Sequence, residues 1–157
     1  MSDQQAVAML EQYRAALEAQ IALLRQLDGV ARRQREVSEA RDFERLAAAS
    51  DERDRLTRCL VGIEQGLSQV RETLRQFQHV VVAHDVFRHV AALRETAADL
   101  VARILATDRE SMKALADAEL ARRTALASLE RGETTLAAYR KILTPPVSSA
   151  GLLSRRG

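Results

Sequence analysis

One stretch of this chain, from Leu56 to Phe77, repeats apolar residues at alternating steps of four and three. A repeat that averages 3.5 residues keeps one apolar stripe on one side of an α-helix, which is typical of coiled coils and helical bundles. A helix with a single apolar stripe is not stable alone, so other helices must cover it. Arg53 is the one polar interruption before this seam. The seam residues are Leu56, Leu60, Ile63, Leu67, Val70, Leu74 and Phe77.

The composition favours α-helices over a β-sheet. Ala, Leu, Arg and Glu dominate the 157 residues, Trp is absent, and the only 2 prolines are adjacent at Pro145 and Pro146. A sheet would need more β-branched and aromatic residues with frequent turn signals. We therefore predict an all-α fold: an elongated antiparallel three-helix bundle, or coiled-coil hairpin, with a long third helix and a short C-terminal amphipathic helix.

Capping residues and breaks in the apolar pattern place the helix boundaries. Asp3, Asp42 and Asp85 are the predicted N-caps of the first three helices, and Gly132 separates the third helix from the short one. A continuous helix through Arg41 is the alternative to a turn before Asp42. The predicted helices span about 3–38, 42–78, 86–131 and 133–143. They form a bundle domain over residues 1–143, and residues 144–157 are predicted to be a disordered tail.

The apolar repeat of the third helix is less regular than the seam. It shifts through Asp108 towards Met112 and Leu115, which indicates an insertion of four residues in the repeat. Glu119 and Arg122 then stand where core residues would be expected. We expect this helix to pack well at its start, and less well towards its end.

Gly62 and Gly66 lie four residues apart beside the seam. Each lowers helix stability by up to ~1 kcal/mol relative to alanine. Close approach of a neighbouring helix would explain both glycines, and neutral drift in a robust helix is the equal alternative.

The charged residues indicate a solvated helix surface. The formal net charge is only +2, and Arg and Glu alternate along the same segments. Nucleic-acid binding would need basic residues clustered on one face, so we do not expect it. The longest apolar run, from Ala6 to Leu10, is far shorter than the roughly 20 residues of a membrane span. The first residues lack the pattern of a secretion signal, and we expect a cytoplasmic protein without stable membrane insertion.

No set of residues with catalytic spacing is found. Cys59 is the single cysteine, so an intramolecular disulfide or a cysteine-based metal cluster is excluded. His79, His84 and His89 are five residues apart, which turns successive side chains by about 140° on a helix, whereas zinc-binding pairs share one face. We expect no enzyme activity, no cofactor and no metal site.

A binding surface is the function that remains. If the third helix carries an apolar stripe past its support, the exposed groove can take an amphipathic helix from a partner. The alternative is that these residues are buried against the first helix or in a homodimer. The predicted partner-binding residues are Leu115, Leu126, Leu129, Leu136, Tyr139, Ile142 and Leu143.

Two segments resemble a known family. The first is the predicted turn at 40–46, followed by a leucine-spaced helix with charged residues before each leucine. The second is 129–140, in which a Gly, a short helix, a Tyr and a basic residue precede a Pro/Ser/Gly linker and a terminal Leu-Leu-Ser-Arg-Arg-Gly. In this order of features the chain resembles the flagellar export chaperones of the FlgN-like and FliT-like kind.

The resemblance implies a small cytoplasmic helical protein that escorts late axial subunits to the flagellar type III export gate. It implies that the C-terminal part of the third helix binds the amphipathic C-terminal segment of a hook-filament junction protein or a similar subunit. Tyr139 resembles the tyrosine that helps such chaperones dock to the gate. The branch of the family and the cargo stay open. The alternative function is a non-enzymatic structural coiled-coil protein that forms a homodimer through the seam.

Overall fold

A computed structural model of the chain describes the backbone of residues 1–143 and the side chains of residues 1–132 and 137. The all-α prediction is confirmed, and residues 1–143 contain no strand. Three of the four helices are long, and α2 runs antiparallel to α1 and to α4. The helices are α1 (Asp3–Glu39), α2 (Phe43–Gln76), α3 (Gln78–Ala83) and α4 (Asp85–Leu143).

The chain divides into two compact units. The first, Met1–Leu115, holds α1, α2, α3 and the first part of α4. The second begins at Ala116 and holds the rest of α4. The predicted domain of residues 1–143 stays a prediction, and the predicted tail lies outside the described residues.

A capping box starts α1. The Gln5 amide N–H donates to the Ser2 hydroxyl at 3.3 Å, and the Ser2 amide N–H donates to the Gln5 side-chain oxygen at 2.7 Å. Each side chain thus satisfies an amide that the helix leaves without a partner. The prediction that Asp3 is the N-cap was wrong by one residue. Asp3 lies in the first turn, where its negative charge interacts favourably with the helix dipole.

The turn between α1 and α2 is a tight connection centred on Arg41. Arg41 has a left-handed φ of 57°, and its amide N–H donates to the Ser38 carbonyl at 3.2 Å. The next amide, of Asp42, donates back to the Val37 carbonyl at 2.9 Å, which completes a Schellman motif. The Asp42 carboxylate accepts the Arg45 amide at 3.1 Å. The predicted turn and the predicted Asp42 cap are confirmed, and the continuous helix is excluded.

Two apolar clusters join the helices of the first unit, and every residue of the seam lies in or against one of them. Leu67 and Leu74 are themselves buried, and the other seam residues are half-buried at the cluster edges. The seam is therefore covered by helices of the same chain. The buried members of the first cluster are Leu10, Tyr13, Leu17, Leu67, Leu74, Val81 and Val90. Those of the second are Ile21, Leu24, Leu27, Ala31, Leu100 and Ile104.

The predicted close approach at Gly62 and Gly66 is not observed. A Cβ atom added to either residue would meet no other atom within 4 Å. Within the first unit, both positions therefore face open space. Neutral drift in a robust helix remains the explanation for the two glycines.

The segment between the seam and α4 differs from its prediction. We expected the second helix to reach residue 78, but α2 ends at Gln76 and the separate helix α3 follows. Val81 is buried in the first cluster, so packing offsets the low helix propensity of its β-branched side chain. The predicted cap Asp85 is wrong, since it is already helical. The extended residue before it, His84, provides the cap, because its Nδ1 atom accepts the Val86 amide at 3.3 Å.

The helix α4 is continuous from Asp85 to Leu143, a length of 59 residues. We expected two helices here, over 86–131 and 133–143, with a break at Gly132. That break is wrong, since Gly132 lies within α4. The neighbouring Glu, Arg, Leu and Ala residues favour a helix strongly enough to tolerate one glycine.

None of the helices described over residues 1–143 has the length and the hydropathy that a bilayer crossing requires.

Candidate functional site

Three of the seven predicted partner-binding side chains are described by the structure. Leu115 is half-buried and ends the first unit. Leu126 and Leu129 belong to the second unit, where they are 44% and 66% exposed. The side chains of Leu136, Tyr139, Ile142 and Leu143 lie outside the described residues. The prediction of a single site from all seven residues therefore stays a prediction, and the pair that the structure places together is Leu126 and Leu129.

Leu126 and Leu129 are three residues apart and share one face of α4. Leu120, which is not among the predicted partner-binding residues, is 65% exposed. It precedes Leu129 by nine residues, which corresponds to a rotation of about 180° on a helix, so the two side chains lie on opposite faces. The second unit therefore presents two exposed apolar faces.

A shallow surface surrounds Leu120. It is lined by Asp117, Ala121, Thr124, Ala125 and Ser128 in addition to the leucine. A search for large apolar residues at heptad spacing misses this face, because its other members are small or polar.

Polar residues on the face of Leu126 form a cluster of ion pairs. Glu119 accepts two hydrogen bonds from Arg122, at 2.8 and 2.9 Å, and one from Arg123 at 3.1 Å. The hydrogen bonds from Arg122 and then from Arg123 lower the pKa of Glu119 to about 2. Glu119 and Arg122, which interrupt the apolar repeat, thus pair with each other on the surface. This pairing explains why the repeat tolerates them.

A second polar cluster joins the helices of the first unit at the two other interruptions of the apolar repeat. Arg53 of α2 and Asp108 of α4 form a bidentate pair with N–O distances of 2.6 and 2.7 Å. Their side chains are only 28% and 24% exposed. The Asp108 carboxylate raises the pKa of Arg53 through these hydrogen bonds. The polar residue that interrupts the apolar repeat of α2 therefore pairs with the polar residue that interrupts the repeat of α4.

This cluster extends to α1. Arg53 also donates to the Gln34 side-chain oxygen at 2.8 Å, and the Gln34 amide group donates to the Ser50 hydroxyl at 3.1 Å. One guanidinium therefore links all three long helices. Because such a bond geometry is met at only one axial alignment of the helices, the cluster selects their register.

A buried carboxylate forms a third polar cluster. Asp28 is only 3% exposed and accepts hydrogen bonds from Arg32 of α1 at 3.1 Å and from Arg103 of α4 at 2.6 Å. Asp28 is not among the residues predicted from the sequence. The signal that could have found it is its position beside Leu27 on the buried face of the first helix, where an unpaired carboxylate would be costly.

The described residues offer little for metal binding. No group of three or more His, Cys, Asp or Glu side chains within this part of the chain is placed to hold a metal ion. His84 caps α4, while His79 and His89 are exposed. Cys59 is also exposed, on α2.

The fold and these clusters define an all-α helical bundle. Comparisons of the chain with protein-family models, with curated proteins and with solved structures found no match.

Proposed function

We propose that this chain is a non-enzymatic helical binding protein of the cytoplasm, and more specifically a flagellar export chaperone. It binds the amphipathic C-terminal segment of a hook-filament junction protein or another late axial subunit, and delivers it to the export gate. The observation that carries the proposal is the exposure of Leu126 and Leu129 side by side on α4.

Two exposed leucines on one helix face can bind the apolar face of a partner helix. Full burial of one leucine side chain contributes about 1.5–3 kcal/mol. Covering the exposed 44% of Leu126 and 66% of Leu129 therefore contributes roughly 2–3 kcal/mol. That corresponds to an affinity gain on the order of a hundredfold, enough for a reversible complex when other contacts add to it.

A chaperone of this kind works by binding and release. While the partner segment occupies the helix, its apolar face is hidden, so the subunit does not assemble early. No nucleotide or cofactor is needed for this role. The resemblance of 40–46 and 129–140 to FlgN-like and FliT-like chaperones supports the more specific proposal, in which Tyr139 contacts the gate.

The alternative is a structural coiled-coil protein that forms a homodimer through the seam. The seam lies in or against the two apolar clusters of its own chain. A homodimer would therefore need another surface, which makes this function less favoured.

Co-purification from the source cells tests the proposal. The tagged full-length chain is compared with a variant that carries Leu126→Asp and Leu129→Asp, and with the control Leu120→Asp on the opposite face. Axial subunits identified by mass spectrometry should accompany the parent and the control but not the double variant. Circular dichroism and light scattering verify that helix content and oligomeric state are equal.

Two results would contradict the proposal. One is the absence of axial subunits from all three samples, and the other is their equal recovery with the double variant. A stable homodimer without axial subunits would support the structural alternative.

A further inference from the structure

A cleft in the first unit brings together one residue from each long helix. Tyr13 of α1, Arg71 of α2 and Arg94 of α4 line two adjoining cavities of this cleft. These residues lie far from Leu126 and Leu129 in the sequence and in another compact unit. The inference therefore goes beyond the proposed function and does not depend on it.

Tyr13 forms the floor of the cleft. Its side chain belongs to the first apolar cluster, is 4% exposed and lines both cavities. Burial raises the pKa of Tyr13 and outweighs the lowering effects of Arg71 and Arg94. The phenol therefore stays protonated at neutral pH. Because Tyr13 lines the cleft, its hydroxyl can donate a hydrogen bond to a ligand oxygen there.

Of the arginines that line the cleft, two form ion pairs with glutamates of α2, and Arg94 is left to bind a ligand. Arg71 donates to Glu64, which also accepts a hydrogen bond from Gln20 at 2.9 Å. Arg75 also lines the second cavity, and it pairs with Glu72 at 3.0 Å.

Arg94 is exposed, and it makes no ion pair with any described residue. A guanidinium beside a phenolic O–H forms a set of hydrogen-bond donors, and its natural complement is a carboxylate.

One end of the cleft is apolar. It is lined by Val81, Val82, Phe87 and Val90, of which Val82 is 49% exposed. Phe87 precedes Arg94 by seven residues on α4, a distance of about 10 Å along the helix axis. A ligand that uses both ends must therefore place an acidic and an apolar group about 10 Å apart, which is two turns of a helix.

Two occupants of the cleft can be compared by their charge: residues 144–157 of this chain, and an acidic segment of another protein. Residues 144–157 of the chain include leucines but contain two arginines and no Asp or Glu. That segment does not complement Arg94. An acidic segment of another protein does.

We propose that the cleft of Tyr13, Arg71 and Arg94 binds an acidic amphipathic helix of a partner protein. A carboxylate of that helix accepts hydrogen bonds from Arg94 and from the Tyr13 hydroxyl. An apolar side chain two turns away covers Val82 and Phe87.

Fluorescence anisotropy with labelled helical peptides of about 18 residues tests this proposal. The matched peptide carries Glu and Leu on one face, seven residues apart. A second peptide has the same composition with Glu moved to the opposite face, and a third has Lys in place of Glu. The matched peptide should bind about tenfold or more tightly than either of the others, since only it places a carboxylate at Arg94.

Variants of the full chain locate the site. Arg94→Glu should weaken binding of the matched peptide about tenfold or more, because it places a carboxylate against the carboxylate of the ligand. Tyr13→Phe keeps the ring and removes only the hydroxyl, so a loss of about threefold to tenfold is expected. The control Arg58→Glu changes the net charge equally on an exposed part of α2 and should leave the affinity within about twofold.

The proposal is overturned if the parent binds the three peptides equally or binds none of them. It is also overturned if Arg94→Glu and Arg58→Glu weaken binding by the same factor, since net charge alone would then explain the effect.

Discussion

The pair of Arg53 and Asp108 provides the sharpest test of how the long helices are held together. We consider Asp108→Asn, which keeps the shape of the side chain and removes its charge. Arg53 would then keep its hydrogen bond to Gln34 and one weaker hydrogen bond to the amide at position 108. It would lose its counter-charge in a site where its side chain is only 28% exposed.

The size of the effect follows from burial. Exposed ion pairs contribute about 0–1 kcal/mol, whereas removal of one partner from a fully buried pair costs about 3–5 kcal/mol. The side chains of this pair are 28% and 24% exposed and form two short hydrogen bonds, which places them between these limits. We expect Asp108→Asn to lower the free energy of unfolding by about 2 kcal/mol. That corresponds to a decrease in Tm of about 4–8 °C.

The double variant with Arg53→Met and Asp108→Leu separates charge pairing from packing. Both residues interrupt apolar repeats, so two apolar side chains at these positions extend the clusters on either side. We expect the double variant to be as stable as the parent or more stable, although each single change destabilises.

Urea unfolding followed by circular dichroism at 222 nm measures the parent, Asp108→Asn, the single variants Arg53→Met and Asp108→Leu, and the double variant. Glu52→Gln is the control, since it breaks the more exposed pair with Arg33 and should have a much smaller effect. The reasoning is refuted if both single variants stay within about 0.5 kcal/mol of the parent, or if the two single effects simply add in the double variant.

Three further predictions concern local structure. Arg41→Gly should stabilise the chain by about 0.5–1 kcal/mol in urea unfolding, because glycine adopts the left-handed φ of 57° without strain; a loss of stability would contradict the Schellman turn. Gly62→Ala and Gly66→Ala should each raise the free energy of unfolding by about 0.5–1 kcal/mol, since a Cβ there meets nothing within 4 Å. Destabilisation would show that a neighbour packs there. The pKa of Glu119 is lowered from 4.5 to about 2, so its ion pairs stabilise the chain above pH 4.5 and this stabilisation is lost as the pH falls to about 2. Parent and Glu119→Gln should differ in thermal stability at pH 6 and converge at pH 2, and a constant difference would refute this assignment.

The parts of the fold that the sequence predicts are those set by neighbouring residues. The strict repeat of the seam predicted a buried helix face, and the chemistry of Asp42 predicted an N-cap. The structure confirms both predictions. The break predicted at Gly132 was wrong because one glycine lowers helix stability by only about 1 kcal/mol relative to alanine. The good helix formers around it offset this loss. The role of His84 was missed because histidine is not among the preferred capping residues.

The cleft could not be found from sequence periodicity. Tyr13, Arg71 and Arg94 come from three helices, and their proximity depends on how those helices are aligned. Each residue alone is ordinary: a tyrosine in an apolar stripe and two arginines on charged helix faces. The match between Arg53 and Asp108 likewise emerges only when the helices are packed, although both interruptions are visible in the sequence.

The tight turn at Arg41 also determines the order in which the chain can assemble. Gln34 and Ser50, which bond across the turn, are separated by 16 residues, whereas Asp28 and Arg103 are separated by 75. Closing the longer loop costs about 1.4 kcal/mol more in chain entropy, so α1 and α2 should pair first.

During synthesis the hairpin of α1 and α2 emerges before α4 is complete. At 5–20 residues per second, roughly seconds pass before Leu100 and Ile104 arrive to cover Leu24 and Leu27. For that time, the nascent chain exposes the same kind of apolar surface that we propose it shields on other proteins.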